Sequence, residues 1–284
     1  MGAGMQRRPG DSAQNVWFLG SSQLILSVIP AFCSPETLQL CEADWHARRF
    51  TKGELDLGGG RTANFVSCSM ATLGDPAYVS DQWHPTPGLV EYMDTIDGDA
   101  QVIVSMLRGN EFVLNSLVDT PPRWDFSYGQ RQADPSRVFV QQVDIAAHVD
   151  DVLGGLFATL AVIRQRFPQA AVYHVAPPPP VEHGSPHLEP AKLRADGMGE
   201  IVDLVESYGV RPFPVRQKIY DAMYERLAAK LPQVGVEFLF APAACLTSEG
   251  ATRSDFATDC LHGNDLYGRA IVRDFEERHL SAPV

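Results

Sequence analysis

Four short apolar runs, each followed by a stretch with helical spacing, constrain the fold of this chain more than any other feature. The runs lie at residues 15–19, 101–107, 170–176 and 236–240. Their apolar residues are consecutive, which is typical of strands buried on both faces of a parallel sheet. Helical spacing follows them at residues 35–49, 150–167, 215–231 and 265–279. This alternation predicts an α/β fold of three layers, α/β/α, around a mainly parallel central sheet.

The segments between these elements indicate one domain, because no repeat, linker or break in composition divides the chain. We expect residues 1–13 to be disordered and residues 14–284 to form a single domain. Residues 112–147 and 178–213 are long and rich in proline, and we interpret them as lid or loop insertions. After the first apolar run, a short helix over residues 23–28 is expected to end before Pro30.

The charge balance and the cysteine pattern exclude several classes of protein. A net charge of −12 without a basic run argues against a nucleic-acid partner. The five cysteines form no Cys-x-x-Cys pattern, which argues against both a disulfide framework and a zinc ribbon. The scattered thiols, and an N-terminal apolar stretch that is interrupted at residues 20–23, favour a cytoplasmic protein. No apolar run is long enough to mark a membrane span. Arg7 and Arg8 precede an apolar stretch, so a secreted or periplasmic protein is the alternative.

Polar side chains follow three of the predicted strands. In open parallel sheets, ligands bind at the carboxyl ends of the strands, which is where these side chains lie in the sequence. Ser22 follows the first strand, Asn110 follows the second, and Asp259 and His262 follow the last strand after a loop. A carboxylate beside an imidazole can orient the ring and stabilise its protonated form. Each cluster has a simpler interpretation as a helix cap or a turn. Their occurrence at three strand ends favours a common site.

These clusters, in this order, resemble the SGNH hydrolases, also called GDSL esterases and lipases. The family's first block, Phe-Gly-Asp-Ser or Gly-Asn-Ser-His, is similar to residues 18–23, with Ser22 at the nucleophile position and Gln23 where one branch has His. In the third block, Gly-x-Asn-Asp, Asn110 takes the Asn position, while Arg108 replaces Gly and Glu111 replaces Asp. The resemblance implies a flavodoxin-like central sheet.

The fifth block, Asp-x-x-His, is the most specific match. It is commonly followed by an Asn and by an aromatic residue next to Gly. Its counterparts here are Asp259, His262, Asn264, Tyr267 and Gly268. The second block is a single Gly whose N–H helps to bind an oxyanion, and we assign it to Gly59, with Gly74 as the alternative.

The resemblance implies a serine hydrolase that needs no cofactor or metal. Ser22 would attack an ester carbonyl, His262 would take its proton, and Asp259 would orient His262. The oxyanion hole would comprise the Ser22 N–H, Asn110 and Gly59. The implied substrate is a small-molecule or glycan ester, such as an O-acetyl group on a carbohydrate or metabolite.

Three other interpretations stay open from the sequence. An acyltransferase would use the same residues, and an inactive binding domain would explain the altered first and third blocks. A nucleotide-binding domain is weaker, because the Gly58-Gly59-Gly60 triplet does not fit the dinucleotide pattern. His183 and His187 are weak candidates for a metal pair, because Pro186 makes the helix that would align them improbable.

Overall fold

The computed structural model of the protein describes residues 14–108 and 111–280. The disorder predicted for residues 1–13 and the role predicted for Asn110 therefore lie outside the described residues. In chain order the strands are β1 Val16–Gly20, β2 Thr51–Gly58, β3 Arg61–Ser67, β4 Ala77–Val79, β5 Gln82–His84, β6 Val102–Met106, β7 Trp124–Asp125, β8 Val138–Phe139, β9 Ala171–Val175 and β10 Val236–Leu239.

Helices cover both faces of the main sheet. They are α1 Ile29–Phe32, α2 Pro35–His46, α3 Met70–Leu73, α4 Pro87–Asp94, α5 Glu111–Ser116, α6 Gln142–Arg166, α7 Pro190–Ala195, α8 Gly199–Tyr208, α9 Phe213–Lys230 and α10 Asp265–Phe275. Two π-helical turns, Leu24–Val28 and Glu276–Leu280, precede α1 and follow α10.

The main sheet has six strands in the order β10-β9-β6-β1-β3-β2. All neighbouring strands pair in parallel except β2, which pairs antiparallel to β3. Without β2, the strands numbered along the chain read 2-1-3-4-5, which is the flavodoxin order. The predicted three-layer α/β/α fold with a mainly parallel sheet is therefore confirmed.

The strand β1 is buried on both faces, as its consecutive apolar residues predicted. Trp17 and Leu19 pack in the hydrophobic cluster on one side of the sheet, together with residues of α4, α6 and α9. Val16 and Phe18 pack in the cluster on the other side, with residues of the helix after β1 and of α10. Side chains alternate between faces along a strand, so β1 contributes to both layers of the core.

Two local expectations were wrong. The helix after β1 does not end before Pro30 but runs over residues 22–32, with a π-helical turn at its centre. Pro30 lies in the first turn of α1, a position at which proline is tolerated. The helix predicted from residue 150 begins earlier, at Gln142. The segment of residues 178–213 contains the helices α7 and α8, and its interpretation as a lid or loop insertion stays a prediction.

The long helix α6 satisfies the length and composition of a membrane span. Half of its most apolar 18-residue window is buried within the fold. The core helix of a soluble protein passes the same test of length and composition, so this property is weak support for a membrane span.

Candidate active site

Ser22 lies at the carboxyl end of β1, on the first turn of the helix that follows. Gly20 makes this turn feasible, because a Cβ at that position would lie 2.4 Å from Cβ of Leu24. The Ile25 N–H donates to the Ser21 carbonyl at 3.1 Å and closes the first helical turn. The N–H groups at the start of a helix have no helical acceptor, and the helix dipole there favours negative charge. The half-buried Ser22 is therefore next to a region suited to an anion.

His262 and Asp259 form a hydrogen-bonded chain with Ser22. The distance from His262 Nε2 to Ser22 Oγ is 3.0 Å, and that from His262 Nδ1 to Asp259 Oδ2 is 2.8 Å. A carboxylate can only accept here, so Nδ1 carries the proton and Nε2 is left to accept from the Ser22 hydroxyl. His262 and Asp259 are 7% and 6% exposed, so this chain is largely shielded from water.

The loop backbone holds Asp259 as an anion. Its Oδ1 accepts from the N–H groups of Leu261 at 2.6 Å and His262 at 2.8 Å. Burial on its own raises the pKa of this carboxyl, but the hydrogen bond from the His262 ring, its charge and the two N–H groups together hold the pKa below its usual range. Asp259 is thus ionised at neutral pH and fixes the His262 ring.

The start of α10 fixes the same loop from the other side. Asn264 caps the helix, since its Oδ1 accepts from the N–H groups of Leu266 at 3.0 Å and Tyr267 at 3.2 Å. The Thr258 N–H donates to the His262 carbonyl at 2.9 Å, which closes the loop around His262. Asn264 is therefore the N-cap of α10. This cap stabilises the segment that presents His262.

Gly268 brings α10 against the helix that carries Ser22. A Cβ on Gly268 would lie 2.2 Å from the Ser27 carbonyl oxygen and 2.9 Å from the Val28 nitrogen. Only a residue without a side chain permits this contact between two backbones. Gly268 thus allows α10, which follows His262, to pack directly against the helix that begins at Ser22.

Arg108 occupies a backbone position that suits glycine. Its φ is +63°, in the left-handed region that favours glycine. Its guanidinium forms ion pairs with Asp75 and with Glu111. These contacts hold Arg108 in place. The next two positions, 109 and 110, lie outside the described part of the chain.

The assignment of Gly59 to the oxyanion hole was wrong. Gly58, Gly59 and Gly60 form the turn between β2 and β3, each with positive φ. Because β3 runs parallel to β1 and pairs Ser67 with Gly20, its start at Arg61 lies at the opposite edge of the sheet from Ser22. Six residues of strand span about 20 Å, too far for a hydrogen bond to a common ligand. The sequence interpretation missed β2 as an antiparallel partner, so the triplet was not identified as a hairpin turn.

The alternative, Gly74, follows α3 and so lies after the carboxyl end of β3. A Cβ there would contact Thr86 Cγ2 at 3.1 Å. Next to the first strand, the Cys68 N–H donates to the Gly20 carbonyl at 3.1 Å, which joins the end of β3 to the turn that carries Ser22.

The two candidate metal ligands do not form a metal site. His183 is exposed, and His187 Nε2 lies 3.4 Å from the Ser254 carbonyl oxygen. Within residues 14–108 and 111–280, no three His, Cys, Asp or Glu side chains gather as ligands.

Sequence reasoning missed a buried charge on α9. Arg216 is 2% exposed, and its Nε donates to the Arg211 carbonyl at 3.0 Å. The amphipathic pattern of α9 gave no sign of it, because a basic residue in a surface helix is usually solvated.

Comparison with known proteins gives no family by sequence. No family model matches the chain, and no curated protein does either. Among solved structures, a protein from Streptococcus pneumonia provisionally named a platelet activating factor is 16% identical, with a TM-score of 0.44, covering 95% of this chain and 85% of that one. The periplasmic domain of a lipopolysaccharide acetyltransferase from Salmonella ser. Paratyphi A is 12% identical, with a TM-score of 0.45, covering 95% and 84%.

A third similar structure is a protein from Agrobacterium tumefaciens str. C58 provisionally named an arylesterase. It is 16% identical with a TM-score of 0.40, and the match covers 93% of this chain and 97% of that one. Similarities at this level carry no weight in assigning a function, so the proposal below depends on the site itself.

Proposed function

We propose that this protein is a serine-dependent enzyme that cleaves acyl esters, with Ser22 as nucleophile, His262 as general base and Asp259 as the residue that orients the base. The observation that carries the proposal is the hydrogen-bonded chain from Ser22 Oγ through His262 to Asp259, with links of 3.0 and 2.8 Å. A histidine that only caps a helix or packs in the core would not need hydrogen bonds to a serine hydroxyl at Nε2 and to a buried carboxylate at Nδ1 at the same time. This arrangement is that of nucleophilic catalysis by an activated hydroxyl.

The reaction would proceed in two steps. The Ser22 hydroxyl passes its proton to His262 Nε2 while Oγ attacks the ester carbonyl, and the protonated ring then gives that proton to the leaving alcohol. Water attacks the resulting acyl group on Ser22 with His262 again as base, which releases the acid and restores the hydroxyl. Asp259, ionised in its loop, stabilises the protonated ring in both steps.

The negative oxygen of each intermediate would lie at the start of the helix of residues 22–32. We assign the Ser22 N–H as one donor, since first-turn N–H groups lack helical acceptors. The Asn110 side chain is retained as the second donor from the family resemblance. Gly59 is not a donor, for the reason given above.

Hydrolysis and acyl transfer use the same acyl-enzyme and differ only in what attacks it. The small-molecule or glycan ester expected from the resemblance, including an O-acetyl group, stays part of this proposal. Adding a sugar alcohol to the assay and separating the products distinguishes the two outcomes, because a transferase gives an ester of the added alcohol.

The test is hydrolysis of p-nitrophenyl acetate and labelling by a fluorophosphonate probe. Wild type should hydrolyse the ester and become labelled, whereas Ser22→Ala should do neither. Ser207→Ala, in which the lost hydroxyl only donates to the Asp203 carbonyl at 2.7 Å, is the matched control and should behave as wild type. Equal hydrolysis by wild type and Ser22→Ala would overturn the proposal and favour an inactive binding domain.

A further inference from the structure

The loop that presents His262 fixes its own shape through bonds between near neighbours. We call residues 252–263 the histidine loop. Within it, the Thr258 N–H donates to the His262 carbonyl at 2.9 Å, and the His262 N–H donates to Asp259 Oδ1 at 2.8 Å. Such bonds move with the loop, so they do not place it relative to the rest of the fold. Contacts with other elements must therefore determine where His262 lies relative to Ser22.

A second segment, residues 179–198, lies along the histidine loop. The Thr252 Oγ1 donates to the Pro179 carbonyl at 2.6 Å, and Thr252 is buried. His187 Nε2 lies 3.4 Å from the Ser254 carbonyl oxygen. Both contacts are made near the start of the loop, so they anchor its beginning rather than the part that holds the imidazole.

Lys192, on α7, contacts the loop at the residue before Asp259. Its Nζ donates to the Thr258 carbonyl at 3.2 Å. That carbonyl belongs to the peptide that joins Thr258 to Asp259. Because a peptide is planar, fixing its oxygen also fixes the backbone nitrogen of Asp259. A hydrogen bond from an ionised donor is about twice as strong as one between neutral groups. Lys192 therefore holds the backbone that carries the Asp259 carboxylate.

The ammonium of Lys192 is held in place from its own helix. Asp196, at the end of α7, accepts from the same Nζ, and its N–H donates to the Lys192 carbonyl at 2.9 Å. Leu193, the next residue in α7, is fully buried and anchors this helix in the hydrophobic core. A lysine side chain has many rotamers, and the Asp196 carboxylate favours those in which the ammonium faces the loop. The helix thus presents one oriented donor to the Thr258 carbonyl.

A weaker contact lies on the other side of Asp259. Cys260 Sγ is 3.8 Å from Met198 Sδ, and Cys260 is buried. A thiol is a weak donor and a thioether a weak, adaptable acceptor, so this contact fills space more than it sets an orientation. Among the residues that the structure describes, Lys192 is therefore the charged donor from outside the loop that bonds to the backbone beside Asp259.

We propose that Lys192 is a positioning residue, which sets the orientation of the loop that brings His262 to Ser22. This inference rests on the proposed function, since it concerns the same imidazole and hydroxyl. Lys192 bonds to the loop and not to the reacting atoms, so it acts on how often His262 Nε2 lies within hydrogen-bonding distance of Ser22 Oγ, which is 3.0 Å away. Loss of the donor should therefore lower kcat and leave KM nearly unchanged.

The first test is Lys192→Met, which removes the donor and keeps most of the apolar stem. It should lower kcat with p-nitrophenyl acetate by about 10-fold, because a charge-assisted bond is lost but the side chain is 38% exposed and water replaces part of it. KM should change by less than about twofold. The rate of labelling by the fluorophosphonate probe should fall with kcat. Lys192→Arg keeps a charged donor and should recover about half of the wild-type kcat.

Lys230→Met is the matched control. Lys230 is 39% exposed and pairs with Asp150 at 2.6 Å, so the control loses an ion pair of similar exposure that does not involve the histidine loop. Urea unfolding should give similar losses of stability for Lys230→Met and Lys192→Met. Only Lys192→Met should lose kcat, which a purely structural role would not produce.

The outcomes separate the two proposals. If Ser22→Ala hydrolyses the ester as fast as wild type, the proposed function fails. If hydrolysis depends on Ser22 but Lys192→Met keeps kcat within about twofold of wild type, the positioning role is refuted. It is also refuted if Lys192→Arg is as slow as Lys192→Met. A rise in KM at unchanged kcat would refute it as well, because Lys192 would then act on substrate binding.

Discussion

Replacing Gly268 by alanine tests whether the contact between two helices sets the geometry of the candidate site. The added Cβ would lie 2.2 Å from the Ser27 carbonyl oxygen, in the helix that begins at Ser22. A carbon and a carbonyl oxygen approach to about 3.3 Å at the closest, so the two helices must separate by about 1 Å. Both neighbouring atoms are backbone, so no flexible side chain can absorb the change.

That separation would act directly on the hydrogen bond between Ser22 and His262. His262 lies just before α10, and its Nε2 is 3.0 Å from Ser22 Oγ. A displacement of about 1 Å takes this distance beyond hydrogen-bonding range, and such misplacement typically costs about 100-fold in rate. Overpacking of the same contact should also lower the free energy of unfolding by about 1–3 kcal/mol. We therefore expect Gly268→Ala to lose both stability and kcat.

The measurements are urea unfolding and kcat with p-nitrophenyl acetate. Gly154→Ala is the matched control, because Gly154 lies within α6 and a Cβ there would contact nothing within 4 Å. Alanine favours a helix over glycine, so this variant should gain about 0.5–1 kcal/mol and keep its activity. If Gly268→Ala matches wild type in both stability and kcat, the reasoning that this contact positions His262 is refuted.

Two further predictions concern buried carboxylates. Asp259→Asn should reduce kcat about 10³- to 10⁴-fold, because an amide can donate to Nδ1 and leave Nε2 protonated. Since the folded-state pKa of Asp259 is depressed, its contribution to stability is full above the unfolded pKa of about 3.9 and is lost as pH falls through the folded pKa. Urea unfolding between about pH 2 and 5 should thus show a shallower acid loss in the variant, and an equally steep loss would contradict this. Lys218→Met should lower the free energy of unfolding by about 3 kcal/mol, because it leaves Asp125 buried and unpaired; a change below about 1 kcal/mol would mean that Asp125 finds another partner.

The sequence determined the layers of the fold and the succession along the chain of most of its parallel strands. Consecutive apolar residues, as in residues 15–19, are a local signal of a strand covered on both faces, and helical spacing is equally local. The same holds for the loop from Asp259 to His262, whose hydrogen bonds join residues two and three positions apart. The single-domain organisation and the roles of Ser22, His262 and Asp259 stay predictions, although the geometry agrees with them.

Only the tertiary structure decided which residues from distant parts of the chain meet. Gly59 was misplaced because the direction of β2 depends on its pairing with β3, which no local pattern reveals. The contact of Gly268 with Ser27 and the buried charge of Arg216 depend on how helices far apart in sequence pack together. Sequence patterns report the periodicity of one segment, whereas a hydrogen bond across 240 residues, such as that from Ser22 to His262, exists only once the sheet has placed both loops at the same edge.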